Sequence, residues 1–331
     1  MKKLSVGIDL VPLSRRQLLR GAAIGAAAAM LPWDIARAQA TKLQVGTIKI
    51  GDLSPFFIAQ EKGYFKEAGL DINPIAMVGG AAIQPALASG ALNIGWSNVV
   101  STFQGHQEGF DYRFITSGAL AKRGTNEVFG VQVAADSPIK SAQDLTGKTI
   151  ATNTIGNITQ AIGSHWIDHN GGDSSKVKWV EVPFPNMEAA VVQKHIDAFV
   201  AVEPFVTAPS QVDKKTRVLA RPAGGIAPRF MIASFFASDA WIQKNDATVK
   251  AFVAALHRGI DAHNADLEGA KAIIAKHTGW SPDVLKVMAL TAFEKKLLES
   301  DLQPVMDLAL RYKLINKKFP VRDVIAKFAL S

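Results

Sequence analysis

The residues able to do chemistry in this chain come as short polar groups at the ends of apolar runs. Gly79-Gly80 follows Leu70–Ala76, Ser97-Asn98 follows Ala91–Gly95, and Asn153, Thr154 and Asn157 follow Thr149–Thr152. Ser54 stands before Pro55 and Phe56, and Glu203 follows Ala198–Val200. Each group precedes a helix-like segment, and a helix start carries unpaired N–H groups and the positive end of the helix dipole. Several such starts brought together would hold a small anion without any Lys or Arg. The competing use is local, because Ser, Thr and Asn at helix starts cap their own helices. Glu203 fits either a ligand with an amino group or simple stabilisation of a helix start beside Pro204. Phe56, Trp96 and Phe205 are candidates to pack on an organic ligand, whereas Phe57 lies on the apolar side of its helix and reads as core.

Other chemistries find little support. Gly95-Trp96-Ser97-Asn98-Val99 is a near miss for the strand-to-helix nucleophile elbow G-x-S-x-G, with Val in the fifth position and no His or acid assignable to it. His165 and His169 have the i,i+4 spacing of a zinc helix, but Trp166 stands where the motif needs Glu, so a solvated helix face is expected. There is no GxxxxGK[ST] loop. The chain has no cysteine, which excludes disulfides, thiolate metal sites and thiol catalysis. No catalytic residue, metal or cofactor is expected.

The chain has 331 residues, enough for two compact units, and its 48% apolar and 20% charged content is that of a globular protein. The first forty residues read as an export signal. Arg15-Arg16 precedes the weakly apolar run Gly21–Leu31, and two overlapping A-x-A sites end at Ala38 and Ala40. A twin arginine ahead of an Ala/Gly-rich core resembles a twin-arginine export signal, and Arg37 near the cleavage site disfavours the ordinary secretion route. The run is shorter than the ~20 residues a spanning helix needs, so a mature protein that does not span the membrane is expected in the periplasm. Residues 1–40 hold six Lys or Arg and two acids, so half of the chain's net charge of +8 leaves with them. The mildly basic remainder has no cluster that reads as a nucleic-acid patch.

The elements that must position these groups alternate. Leu43–Ile50 alternates as a strand, Phe56–Glu67 reads as a helix, and Leu70–Ala76 as the next strand. Ser97–Glu108 is a further helix and Tyr112–Leu120 a strand. A second unit of similar plan begins near Phe129. After the extended stretch Phe230–Ala237 the chain is nearly all helical, with candidates at Asp239–Lys244, Ala247–Asn264, Asp266–His277, Asp283–Ala292, Gln303–Tyr312 and Val321–Leu330. This pattern implies an α/β fold with largely parallel sheets covered on both faces, on which the helical tail must pack.

Four blocks resemble one known family. Ile58–Ile72 (IAQEKGYFKEAGLDI) is similar to the IA-x-E-x-G-x-F-x-x-x-GLDV block of periplasmic solute-binding proteins of the sulfonate/nitrate/taurine type. Gly79–Gly95, Ala135–Asn157 and Met187–Thr207 resemble further blocks of that family in order and spacing. The resemblance implies two αβ lobes of the type II periplasmic-binding-protein kind, joined by two hinge crossings at Phe129–Ala134 and Phe230–Ala237. The first lobe would comprise 41–130 and 234–331, the second 131–233, with the ligand in the cleft between them. It further implies a monomeric receptor for a small organic anion, a sulfonate or taurine-like compound, which hands it to an ABC permease in the inner membrane. The site residues would be Ser54, Phe56, Gly79, Gly80, Ser97, Asn98, Asn153, Thr154, Asn157 and Glu203. A receptor for a pyrimidine or thiamine precursor is the alternative, and an exported serine hydrolase the remote one.

Overall fold

The computed structural model describes residues 40–123 and 127–330. The expected export signal lies outside the described residues, apart from Ala40. Strands are numbered in chain order. The first sheet holds β1 (Thr41–Thr47), β2 (Leu70–Ala76), β3 (Ile94–Asn98), β4 (Tyr112–Phe114), β5 (Ala119–Lys122), β11 (Arg229–Ser238) and β12 (Ala292–Phe293). Its order is β12-β5-β11-β3-β1-β2, with β4 also on β11. The second holds β6 (Phe129–Ala134), β7 (Thr149–Thr152), β8 (Lys178–Glu181), β9 (Ala198–Val202) and β10 (Thr216–Ala220) in the order β10-β6-β9-β7-β8. The α/β architecture with two sheet-centred lobes is therefore as expected, but neither sheet is wholly parallel: β11 runs antiparallel to β3, and β6 antiparallel to β9.

The stretches expected to be hinge crossings are sheet strands. Phe129–Ala134 is β6, buried along its whole length, and Phe230–Ala237 lies within β11. The lobe divisions drawn at 130 and 233 thus fall inside strands. The chain leaves the first sheet after β5 and returns to it at β11, so the return link between sheets is the segment 221–228, and the outward one ends at residues 127–128 before β6. An apolar run bridging two lobes and one buried in a sheet have the same periodicity, which is why sequence could not separate them.

The C-terminal helices pack where expected, on the first lobe. Helix 246–265 lies along helix 54–61, and Arg258 pairs with Glu67 at 2.6 Å. Between them sit Phe56, Phe65, Phe235 and Phe252, all with 2% exposure or less, their rings 5.1–6.4 Å apart. Burying each such ring contributes about 2 kcal/mol or more. Two expected helices are shorter than their pattern suggested. Asp283–Ala292 is helical only to Val287, because Ala292 and Phe293 pair with β5 instead. Val321–Leu330 is two 3-10 turns around Ile325, which bridges to Phe114. The helix expected over Phe56–Glu67 breaks at Gly63, whose φ of 75° turns the chain between Ser54–Glu61 and Tyr64–Glu67. Among the described residues, no helix is long and apolar enough to cross a membrane.

Candidate functional site

Strand register brings the candidate loops together. β1 pairs in parallel with β2 from Thr41–Leu70 to Thr47–Ala76, and with β3 at Gly46–Gly95. The loops after these three strands, which carry Gly51-Asp52, Gly79-Gly80 and Asn98, therefore leave one edge of the first sheet. In the second sheet β7 pairs in parallel with β8 and β9, so Asn153-Thr154, Phe184 and Glu203 likewise leave one edge. The two edges face each other. The Gly51 N–H donates to the Glu203 carbonyl oxygen at 3.4 Å. A Cβ added to Gly79 would lie 3.3 Å from both Asn153 Nδ2 and Thr154 Oγ1, tighter than ordinary contact, so glycine lets the lobes close here. Gln104 Nε2 donates to the Gly156 carbonyl oxygen of the second lobe at 2.9 Å and to that of Leu314 at 3.0 Å.

Of the residues expected to touch ligand, Gly79, Asn153 and Thr154 meet at this closure. Gly80 and Ser97 are packed on one another within the first lobe: a Cβ on Gly80 would fall 2.2 Å from Ser97 Oγ, whose own partner is the Asn98 carbonyl oxygen at 3.3 Å. Asn98 and Asn157 cap their helices. Asn98 accepts from the Ser101 N–H at 3.0 Å, and Asn157 from those of Thr159 and Gln160 at 3.1 and 3.3 Å. The Asn157 amide also donates to Asn153 Oδ1 at 2.6 Å, so the cap holds the side chain that faces Gly79.

Two expected contacts are absorbed elsewhere. Phe56 is fully buried in the aromatic core of the first lobe, because its helix turns that face toward Phe235 and Phe252 rather than toward the cleft. Ser54 is the first residue of its helix, with Leu53 at the cap position, and its buried hydroxyl bonds His263 Nδ1 at 2.8 Å. This Ser–His contact ties helix 246–265 to the loop after β1. Burial pushes the His263 imidazole down to about 4, against a hydrogen bond with the Thr291 backbone. His165, expected on a solvated face, is buried, and its ring centroid lies 3.8 Å from that of His169 with the planes tilted by 35°.

Glu203 does not project into open cleft. Its carboxylate accepts from the Thr207 N–H at 3.0 Å, the Thr207 hydroxyl at 2.9 Å and Arg221 Nη1 at 3.2 Å. Burial raises its pKa, opposed by Arg221 and Thr207. Facing it from the first lobe is Asp52, a residue the sequence reading did not single out. Burial pushes the Asp52 carboxyl up to about 6, opposed by the hydroxyl of Thr291 and reinforced by the charge of Glu203. Gln104, Arg221 and Trp280 were likewise not found. Each acts across more than fifteen residues of sequence, and no local pattern marks such partners. Beside the Gly51–Glu203 contact lies a pocket of about 250 Å³ whose lining includes Lys49, Phe184, Phe205 and Trp280. Among the described residues no cluster of three or more His, Asp or Glu side chains is arranged to hold a metal ion.

A family model described as NMT1/THI5 like matches residues 51–270, well over half of the chain. No curated protein matches it in sequence. Solved structures with the same fold include the alkanesulfonate-binding protein SsuA from Xanthomonas axonopodis pv. citri bound to MOPS. That match has 18% identity and a TM-score of 0.74, covering 87% of this chain and 99% of that one. The ligand-binding component of an ABC-type import system from Staphylococcus aureus with zinc bound matches at 14% identity and a TM-score of 0.76, covering 88% and 98%. The periplasmic nitrate-binding protein NrtA from Synechocystis PCC 6803 matches at 16% identity and a TM-score of 0.71, covering 88% and 87%. At these identities the likeness is one of fold.

Proposed function

The chain belongs to the NMT1/THI5-like family, and from that premise we propose that it is the solute-binding subunit of an ABC-type importer. It takes a small organic anion, sulfonate or taurine-like, between its lobes and passes it to a membrane permease. The observation that carries this reading is the convergence of strand-end loops from two sheets, with Gly51 against Glu203 and Gly79 against Asn153 and Thr154. Open αβ sheets take ligands at that edge, and two sheets linked by short segments close on a solute by hinge motion. The protein works as an exported monomer in the periplasm, its twin-arginine signal removed near Ala38 or Ala40. Gly79, Asn153 and Thr154 are the contacts we retain, with Gly80, Ser97, Asn98 and Asn157 holding the loops in place.

A second reading, a receptor for a pyrimidine or thiamine precursor, is favoured by one specific observation. Asp52, whose buried carboxyl has the Thr291 hydroxyl as its partner, lies beside the closing contact, and an acid there suits a ring rich in N–H donors better than an anion. Hydrolysis has less support, since the hydrogen-bond partner of Ser97 Oγ is a backbone carbonyl.

A thermal-shift panel of sulfonates, taurine, nitrate, carboxylates and pyrimidines separates these readings, because a ligand that binds the native state raises Tm. Shifts with sulfonates or taurine support the first reading and shifts confined to pyrimidines the second. Ester turnover lost in Ser97→Ala, with no solute raising Tm, rejects both.

A further inference from the structure

The pocket beside the closing contact is built from both lobes. Lys49, Thr278 and Trp280 line it from the first, and Phe184, Phe199 and Phe205 are among its lining from the second. Phe184 and Phe205 stack with centroids 5.3 Å apart and planes at 18°, and Trp280 meets Phe205 edge-on at 5.0 Å and 84°. Phe205 follows Glu203 by two residues and Lys49 precedes Gly51 by two, so the pocket opens directly beside the point where the lobes touch.

We propose that this pocket receives the ring of an aromatic acid, with its carboxylate or sulfonate directed at Lys49. The proposal rests on the solute-receptor reading above and names the substrate class of a second contact region between the lobes, lined by none of Gly79, Asn153 and Thr154. Aromatic rings from opposite lobes border the pocket and offer further stacked and edge-on contacts to a ring placed against them, so a bound ring adds to the Trp280–Phe205 contact that already joins the lobes. The volume of about 250 Å³ suits a single substituted ring with room to spare. The charges on the rim orient it. Glu188 is tied to Lys215 at 2.9 Å, whereas Lys49 pairs with no described carboxylate. Asp213 stands on the second-lobe rim, where it repels an acid head group and leaves the Lys49 side as the favourable one.

Calorimetric titration of the purified protein with benzenesulfonate, ethanesulfonate and benzyl alcohol tests this. Benzenesulfonate is expected to bind about tenfold more tightly than ethanesulfonate. Trp280→Ala is expected to remove most of that advantage and Trp280→Phe to keep it, while Lys49→Gln weakens benzenesulfonate roughly fivefold and leaves benzyl alcohol unchanged. Ethanesulfonate binding as tightly as benzenesulfonate, or a ring advantage that survives Trp280→Ala, overturns the pocket assignment and leaves the receptor reading standing. If no solute of the wider panel binds, the receptor reading fails and this inference falls with it.

Discussion

Asp52 and Glu203 belong to opposite lobes, lie at one closing contact, and are 2% and 1% exposed. Their surroundings differ. Asp52 has the hydroxyl of Thr291 as its hydrogen-bond partner, and burial lifts it to about 6. Glu203 has two bonds from Thr207 and the guanidinium of Arg221, which also donates to the carbonyl oxygens of Glu127 and Phe129 at the link between sheets. The first lobe thus keeps an acid that gives up its charge under mild acidity. The second keeps an ion pair, and that pair fastens the hinge. Buried carboxylates of similar exposure can therefore serve as a titrating group or as a structural tie, depending on whether a cation lies within reach.

Removing the tie has the largest expected effect. Arg221→Met strands Glu203 and two hinge carbonyls, and urea unfolding should register a loss of about 3 kcal/mol. Adding Glu203→Gln should restore much of it; a single variant as stable as wild type would break the contrast between the lobes.

The titrating side is tested by pH. Asp52 has a folded value of about 6 against an ordinary 3.8. Its stabilising contribution is therefore full below about pH 4 and lost as pH rises through 6, an effect of about 3 kcal/mol. His263, held at about 4 against an ordinary 6.5, has the opposite slope: its contribution is present above 6.5 and lost as pH falls through 4. The two largely offset each other in the wild type. Asp52→Asn should unmask the histidine, so that stability falls by about 3 kcal/mol from pH 6.5 to pH 4. Melting curves parallel to wild type across that range would refute the assignment.

The caps extend the comparison at smaller scale. Asn157 accepts not only from two backbone N–H groups but also from the hydroxyls of Thr152 and Thr159 at 2.9 and 2.7 Å, whereas the Asn98 side chain exchanges bonds with Ser101 alone among the described residues. Asn157→Ala should cost about 2 kcal/mol and Asn98→Ala about 1 kcal/mol in chemical denaturation. An equal cost would mean that the second-lobe network adds nothing to the cap. The smallest effect belongs to Gln104→Ala, which loses one bond to each lobe. It should cost under about 1 kcal/mol, and the ligand-free protein should scatter X-rays with a larger radius of gyration as its open form gains population.

Much of this was legible in advance. The α/β class, two sheet-centred units and the loops carrying Gly79, Asn153 and Thr154 follow from alternating patterns and strand-end chemistry, and the helical tail on the first lobe from the family resemblance. The caps at Asn98 and Asn157 were legible too, as one of two uses the residue type allows. What failed was any choice that turns on direction or distance. Phe56 has the composition of a ligand-stacking residue, but its helix phase points it into a core of rings supplied by residues 65, 235 and 252. Ser54 looked like a cap, and the partner that claimed its hydroxyl lies 209 residues away.

By itself the sequence determined most of the strands and helices and which polar groups follow strands, because those depend on period and on neighbours within a few residues. Tertiary structure alone decided which of those groups meet across the lobes, that Glu203 belongs to Arg221 and Thr207, and that Lys49 and Trp280 share a pocket with Phe205. The physical reason is range. A helix or strand is specified by interactions a few residues apart, but a cleft is made by contacts between segments about fifty to two hundred residues apart, brought together only when the sheets are packed and the lobes have closed.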